Sequence, residues 1–194
     1  MVGKSSLRFV YNKDLKTGSI HKLWTSLYST VSDVKKGTVK CKMLTGTYIL
    51  QKDKHKFSNG KVQADCVLCC IGDEDIVHML NQCSALHEIR REQMQILRKT
   101  VVEYTCKTTW NSHFNNLESI TQLILDCTLF RTLFTSSSQL DDIMRKTTDL
   151  CYKMHVHRLC LLDDVIIAWI DLVLIYCNNQ HMHVLYMWLT CSAY

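Results

Sequence analysis

Proline is absent from this chain of 194 residues, and glycine occurs only six times. Average usage of about 5% would supply roughly ten prolines, each of which would interrupt a helix interior. Hydrophobic residues make up 47% of the chain and charged residues 21%, which is the composition of a chain that buries a core. We therefore predict a mainly α-helical fold of one to one and a half domains. A full polymerase, kinase or synthetase would need a longer chain.

A secretory signal and a membrane-length apolar run are also missing. Residues Met1 to Leu7 lack the apolar core of a signal peptide. The apolar stretch 165–177 contains Asp171, and its 13 residues fall short of the ~20 that a bilayer requires. We expect this stretch to be a buried or interfacial helix. We also expect an intracellular protein, nuclear or cytoplasmic, without a membrane partner.

Positive charge is concentrated in the first third of the chain. Residues 1–61 contain 13 Lys and Arg and three acids, a net charge of +10, whereas residues 62–194 contain 10 basic and 15 acidic residues, a net charge of −5. This asymmetry favours contact with a polyanion, and nucleic acid is preferred to membrane because no amphipathic Trp/Leu stripe accompanies it. A solvated lysine-rich surface is the alternative interpretation. The predicted phosphate contacts are Lys35, Lys36, Lys40, Lys42, Lys52, Lys54 and Lys56.

Cysteine is abundant, but its eleven copies form an odd number, which favours buried thiols or metal ligands over a disulfide scaffold. Four residues have the spacing C-x2-C-x8-H-x4-C: Cys66, Cys69, His78 and Cys83. A C-x2-C turn places two thiolates on one side of a loop, and a His in the first turn of a following helix with a Cys just past its end can complete a tetrahedron. Cys70 is an alternative ligand to Cys69. We prefer Cys69 because the two-residue spacing is the commoner arrangement, and we expect Cys70 to be a core thiol.

Three Cys and one His form a closed ligand set for Zn²⁺. Because four protein ligands leave no position for water or substrate, the pattern predicts a structural zinc rather than a catalytic one. The binding free energy, on the order of 10 kcal/mol, would then contribute to folding.

Apolar residues at helical spacing predict the elements around this motif. One helix should begin at Ser32-Asp33 and end near Gly46, and a turn should follow at 58–60. Further helices are predicted from Ser84 for about 20 residues, over 117–134, and from Ser138 to Leu161. The resulting segments are a basic helical segment (1–61), a zinc finger with its trailing helix (62–104), a helical extension (105–162) and an apolar tail without an assigned role (163–194).

The motif and its flanks resemble the zinc-binding region that follows the polymerase domain in non-LTR retrotransposon reverse transcriptases. Upstream, Leu44-Thr45-Gly46-Thr47-Tyr48 with Leu50-Gln51 resembles the segment common before that finger; downstream, residues 85–90 resemble the start of its trailing helix and residues 150–158 a late helix. The resemblance covers residues 7–162. It implies that the four ligands above bind zinc and that the partner is a template RNA or a target DNA.

The polymerase activity does not transfer with the resemblance. Two catalytic metal ions need carboxylates from separate strands, and the best candidate pair, Asp163-Asp164, lacks the preceding aromatic residue and lies downstream of the finger. We therefore expect no enzymatic activity and no small-molecule substrate. The predicted function is a structural zinc-binding, nucleic-acid-binding fragment of a retrotransposon-derived reverse transcriptase. The alternatives are a zinc-stabilised protein-interaction module and a decayed open reading frame without a selected function.

Overall fold

The structure is a computed structural model that describes residues 7–10, 18–28 and 30–178, apart from the side chains of 165, 166 and 168–178. Within these ranges the chain is helical and forms no strand; residues Asp65 and Asp73 make an isolated antiparallel bridge. The seven α-helices described are α1 (Lys22–Thr25), α2 (Val31–Leu44), α3 (Gln51–Phe57), α4 (His87–Tyr104), α5 (Lys107–His113), α6 (Leu117–Leu125) and α7 (Ser137–Asn178). The predicted mainly α-helical class is confirmed.

Local capping explains where several helices begin and end. The Thr30 side chain accepts a hydrogen bond from the Asp33 backbone N–H at the start of α2, and Asn116 does the same for Ser119 at the start of α6. After α2 the chain turns at Gly46, whose φ of 69° lies in the left-handed region that glycine adopts without strain. The predicted helix from Ser32 to Gly46 is therefore confirmed.

The predicted helix over 117–134 is wrong in its length. Helix α6 stops at Leu125, and Asp126 has extended backbone angles of φ −144° and ψ 93°. Its carboxylate accepts hydrogen bonds from the backbone N–H and hydroxyl of Thr128, and a separate 3-10 segment, Cys127–Leu133, follows. An aspartate that bonds to its own backbone neighbours competes with the helix, and here that competition ends it.

Other elements differ less from the predictions. The helix expected from Ser84 begins with a 3-10 turn, Ser84–Leu86, and continues as α4. The helix expected near Ser138 begins at Ser137 and continues through 165–177 to Asn178, so that stretch is not a separate helix. Residues 179–194 of the predicted tail lie outside the described part of the chain. The short helices α1, α3 and α5 carry too little apolar periodicity to be predicted.

Contacts divide the chain into a first compact unit that ends at Arg158 and a second that begins at Leu159. The predicted boundaries after residues 61, 104 and 162 stay predictions. In the first unit the core includes apolar residues from α2, α6 and the first half of α7, among them Met43, Leu123, Ile124, Ile143 and Met144. Among the described residues, no helix has a stretch that is both long and apolar enough to cross a bilayer.

One face of α7 connects the earlier elements of this unit. Asp141 binds the Lys22 ammonium of α1 at 2.6 Å, and Asp149 binds Lys36 of α2 at 2.7 Å. Further along α7, His155 Nδ1 lies 2.8 Å from the hydroxyl of Tyr48. These contacts join α7 to three successive parts of the chain.

Lys40 contributes the most unusual contact between α2 and α7. Its side chain is fully buried, and its Nζ donates to Thr147 Oγ1 at 2.6 Å and to Met144 Sδ at 3.1 Å. Burial lowers the pKa of this amine, although the nearby Cys151, Cys127 and Asp126 act in the opposite direction. A positive charge here costs free energy because neither of its two hydrogen-bond acceptors carries a formal negative charge.

Replacing this buried amine should stabilise the protein. We expect Lys40→Met to raise the free energy of unfolding by about 1–3 kcal/mol at pH 7, because an apolar side chain avoids the cost of burying the amine. Thr147 Oγ1 loses the Lys40 donor, but its own hydroxyl hydrogen still donates to the Ile143 carbonyl at 2.9 Å. Urea unfolding measures the change, and the exposed Lys99→Met is the matched control, expected within about 0.5 kcal/mol of the parent.

The advantage of Lys40→Met should shrink as the pH rises. Because the pKa of Lys40 is lowered from 10.5 in the folded state, the unfolded state binds more protons between the two pKa values, and the parent gains stability with pH in that window. Unfolding at pH 7 and again near pH 9.5 tests this sign. An equal difference at both pH values would contradict a lowered pKa.

Candidate metal centre

The loop after α3 closes on itself before the helical part of the site. The Cys66 backbone N–H donates to the Gly72 carbonyl at 3.0 Å, and the Glu74 N–H donates to the Ala64 carbonyl at 2.9 Å. Gly72 has a φ of 65°, which a side chain would strain. These bonds form a tight hairpin-like loop, which we call the metal loop (Ala64–Glu74), with Cys66 and Cys69 within it.

The other two donors are positioned by a π-helical turn, His78–Gln82. Asp75 accepts a hydrogen bond from the His78 backbone N–H at 3.0 Å, and the Cys83 N–H donates to the His78 carbonyl at 2.9 Å. In an α-helix, residues five apart point about 140° away from each other. The wider π-helical turn reduces this angle, so that His78 and Cys83 face the same centre.

The four predicted ligands come together. One donor atom from each of Cys66, Cys69, His78 and Cys83 lies within 4.8 Å of all the others. The Cys66 and Cys83 sulfurs are 3.8 Å apart, and the Cys69 sulfur is 3.3 Å from His78 Nε2. A tetrahedral zinc with Zn–S near 2.3 Å and Zn–N near 2.05 Å requires about 3.8 Å between sulfurs and about 3.6 Å between sulfur and nitrogen. The donor set therefore fits one tetrahedral ion.

The electrostatic environment suits a cation. Burial raises the pKa of the Cys66 thiol to about 12 and also raises the pKa of Cys83, so thiolates at these positions need a positive charge nearby. Burial lowers the pKa of His78, which favours the neutral imidazole that binds metals. A shallow depression of about 250 Å³ reaches the site from the side of Cys69 and His78.

Cys70 is not part of the cluster, and the expectation that it is a core thiol is wrong. Its side chain is exposed, and its backbone has a φ of 56°. The Cys70 N–H donates to the Cys66 carbonyl at 2.8 Å. This turn directs Cys69 to the centre and Cys70 to solvent, which decides between the two alternatives that the spacing left open.

A buried ion pair between Glu74 and Arg158 joins the end of the metal loop to α7. Glu74 is 1% exposed and Arg158 7%, and the guanidinium Nε and Nη2 donate three hydrogen bonds of 2.8–3.0 Å to the two carboxylate oxygens. Glu74 also accepts from the Gln51 backbone N–H at 3.1 Å and lies 3.9 Å from the Cys66 sulfur. One carboxylate thus contacts the metal loop, the start of α3 and α7. Sequence reasoning missed this pair because 84 positions separate its members.

The seven predicted phosphate contacts separate into three groups. Lys40 is fully buried, so its assignment to nucleic acid is wrong; its position on the apolar side of α2 places it against α7. Lys36 and Lys52 are half-buried and paired with carboxylates, the first with Asp149 and the second with acids of the metal-loop region at 3.2–3.3 Å. The exposed members are Lys35, Lys42, Lys54 and Lys56.

Comparisons of the chain with family models, with curated proteins and with solved structures give no match.

Removing one donor should remove the ion. We expect Cys66→Ser and His78→Ala each to reduce bound zinc from about one equivalent to well below half, because three ligands hold the ion less tightly than four. Metal analysis after purification and dialysis gives the stoichiometry. The neighbouring exposed thiol provides the control: Cys70→Ser should keep the full equivalent, and loss of metal in that variant instead would place the site elsewhere.

Breaking the buried ion pair should destabilise the first unit strongly. Glu74→Gln leaves the Arg158 charge buried without its counter-charge, which typically costs about 3–5 kcal/mol. The control is Glu118→Gln, which breaks the exposed Arg8–Glu118 pair and should cost less than about 1 kcal/mol. Chemical unfolding of the zinc-loaded variants compares the two, and equal losses would contradict the role given to Glu74.

Proposed function

We propose that the chain is a structural zinc-binding module that presents a basic surface to nucleic acid. The observation that carries the proposal is the convergence of three sulfurs and one imidazole nitrogen within 4.8 Å. Such a set binds Zn²⁺ in a closed tetrahedron, and its binding free energy stabilises the local fold. Cys66, Cys69, His78 and Cys83 would hold the ion.

The metal loop is joined directly to the basic helix α3. The Lys52 backbone N–H donates to the Glu74 carbonyl at 3.2 Å, and the Lys52 ammonium lies 3.2 Å from the Asp75 carboxylate. Asp75 in turn holds the N–H of the ligand His78. Zinc binding therefore orders the same segment that positions the start of α3, and the exposed Lys54 and Lys56 follow on that helix.

Nucleic acid is the partner that best suits this surface. Exposed lysines attract the regularly spaced phosphates of a polyanion, and contacts of this kind set affinity and salt dependence without reading base sequence. The closed ligand set favours a structural role over catalysis. The resemblance to the region after the polymerase of non-LTR retrotransposon reverse transcriptases supports RNA or DNA as the partner, and we propose the same origin for this chain.

The salt dependence of binding tests the proposal. For zinc-loaded protein and a labelled oligonucleotide, the logarithm of the association constant should fall linearly with the logarithm of salt concentration, by about 0.7 for each phosphate contact with a single strand. Replacing Lys35, Lys42, Lys54 and Lys56 by Gln should make this slope less steep. Each replaced lysine that contacts a phosphate should reduce the slope by about 0.7. Fluorescence anisotropy at several salt concentrations measures it.

The control for the lysine variants changes the same kind of charge elsewhere. Lys99→Gln with Lys107→Gln alters exposed lysines of α4 and α5 and should leave the slope unchanged. Affinity that does not respond to salt would contradict phosphate contacts and favour a protein-interaction module. Non-cooperative thermal unfolding with zinc present would favour a decayed open reading frame.

A further inference from the structure

Helix α3 ends on an exposed aromatic ring. Phe57 is 74% exposed, compared with 66% for Tyr28 and 40% for Trp24. Single exposed apolar residues are common, but this one lies within a lysine cluster. Lys54 lies three residues earlier and therefore on the same helix face, and Lys56 and Lys61 are exposed on either side of it in the sequence.

The backbone around the ring is held by hydrogen bonds. The Ser58 N–H donates to the Lys54 carbonyl and the Gly60 N–H to the His55 carbonyl, both at 2.9 Å. Gly60 has a φ of 83°, in the left-handed region that ends many helices. His55 Nδ1 lies 2.7 Å from the Val62 carbonyl, which fixes the chain beyond the turn. The ring is thus presented on an ordered scaffold, which lowers the entropic cost of a contact.

Helix α3 contains three lysines and one acid. Asp53 lies four residues before Phe57 and so also on its helix face, but its carboxylate is engaged in the first turn, where it accepts from the Leu50 N–H at 3.2 Å. The last turn carries Lys54, His55 and Lys56. A flat apolar ring beside exposed lysines in the sequence is complementary to a ligand that combines an exposed π-face with phosphates.

We propose that Phe57 stacks on an unpaired base, and that the lysines at the end of α3 therefore bind single-stranded nucleic acid in preference to a duplex. This inference rests on the proposed function and specifies the form of its partner. In a duplex the bases are already stacked on one another, so their faces are not available to the ring. In a single strand each base offers a face, and stacking on an aromatic side chain is tolerant of sequence.

Binding to an unstructured oligothymidine and to a duplex of the same length tests the inference. For zinc-loaded full-length protein, Phe57→Ala should weaken binding to oligothymidine by about tenfold, within the range for a stacked base, and leave duplex binding unchanged. Phe57→Leu should also lose affinity, because it keeps an apolar side chain without a ring. Phe57→Trp should restore it. Val31→Ala, at another highly exposed apolar position, should change neither affinity.

The dependence of the association constant on salt concentration distinguishes failure of this inference from failure of the proposed function. Phe57→Ala removes no phosphate contact, so its slope should equal that of the parent. Two results would overturn the stacking contact: Phe57→Ala binds oligothymidine as tightly as the parent, or it loses the same affinity for oligothymidine and for duplex. If the parent's affinity still falls steeply with salt, the phosphate contacts remain supported. A parent without salt-dependent binding would overturn both proposals.

Discussion

The carboxylate of Glu74 is the constraint on which the first unit depends. It lies at the end of the metal loop, accepts hydrogen bonds from Arg158 of α7 and from the backbone at the start of α3, and lies beside the Cys66 sulfur. A buried ion pair contributes little net stability compared with apolar packing, but its geometry is specific because each missing partner is costly. Here that specificity determines how three separate parts of the chain meet.

The candidate ligand set could be predicted because its information is local. Cys66 and Cys69 are three positions apart, and a tight turn brings such thiols together whatever the rest of the fold does. The pairing of His78 with Cys83 depends on a π-helical turn, which spacing alone does not specify. The exclusion of Cys70 likewise depends on one backbone angle, its φ of 56°. The types of metal ligand can thus be predicted from the sequence, whereas the direction in which each ligand side chain points depends on the backbone conformation.

Features that depend on distant contacts could not be predicted. Helices α2, α4 and α7 follow from apolar periodicity, which is a property of neighbouring residues. The burial of Lys40 depends on acceptors supplied by Thr147 and Met144, more than a hundred residues away. Charge counting assigns every lysine to the surface, so it overstated the basic surface by Lys40 and also by Lys36 and Lys52, which are paired with carboxylates.

The part of α7 that belongs to the first unit, from Ser137 to Arg158, is held by different contacts near its start and near residue 158. Near the start of the helix, Asp141 is held by Lys22 and Ser26, contacts that are remote from the metal loop in sequence. Near residue 158, the helix is held by Glu74, whose position depends on the folded loop. Local opening of a protein follows its weakest cooperative unit. Removal of the proposed metal ion would therefore loosen the contacts of α7 around residues 155–158 before those around residue 141.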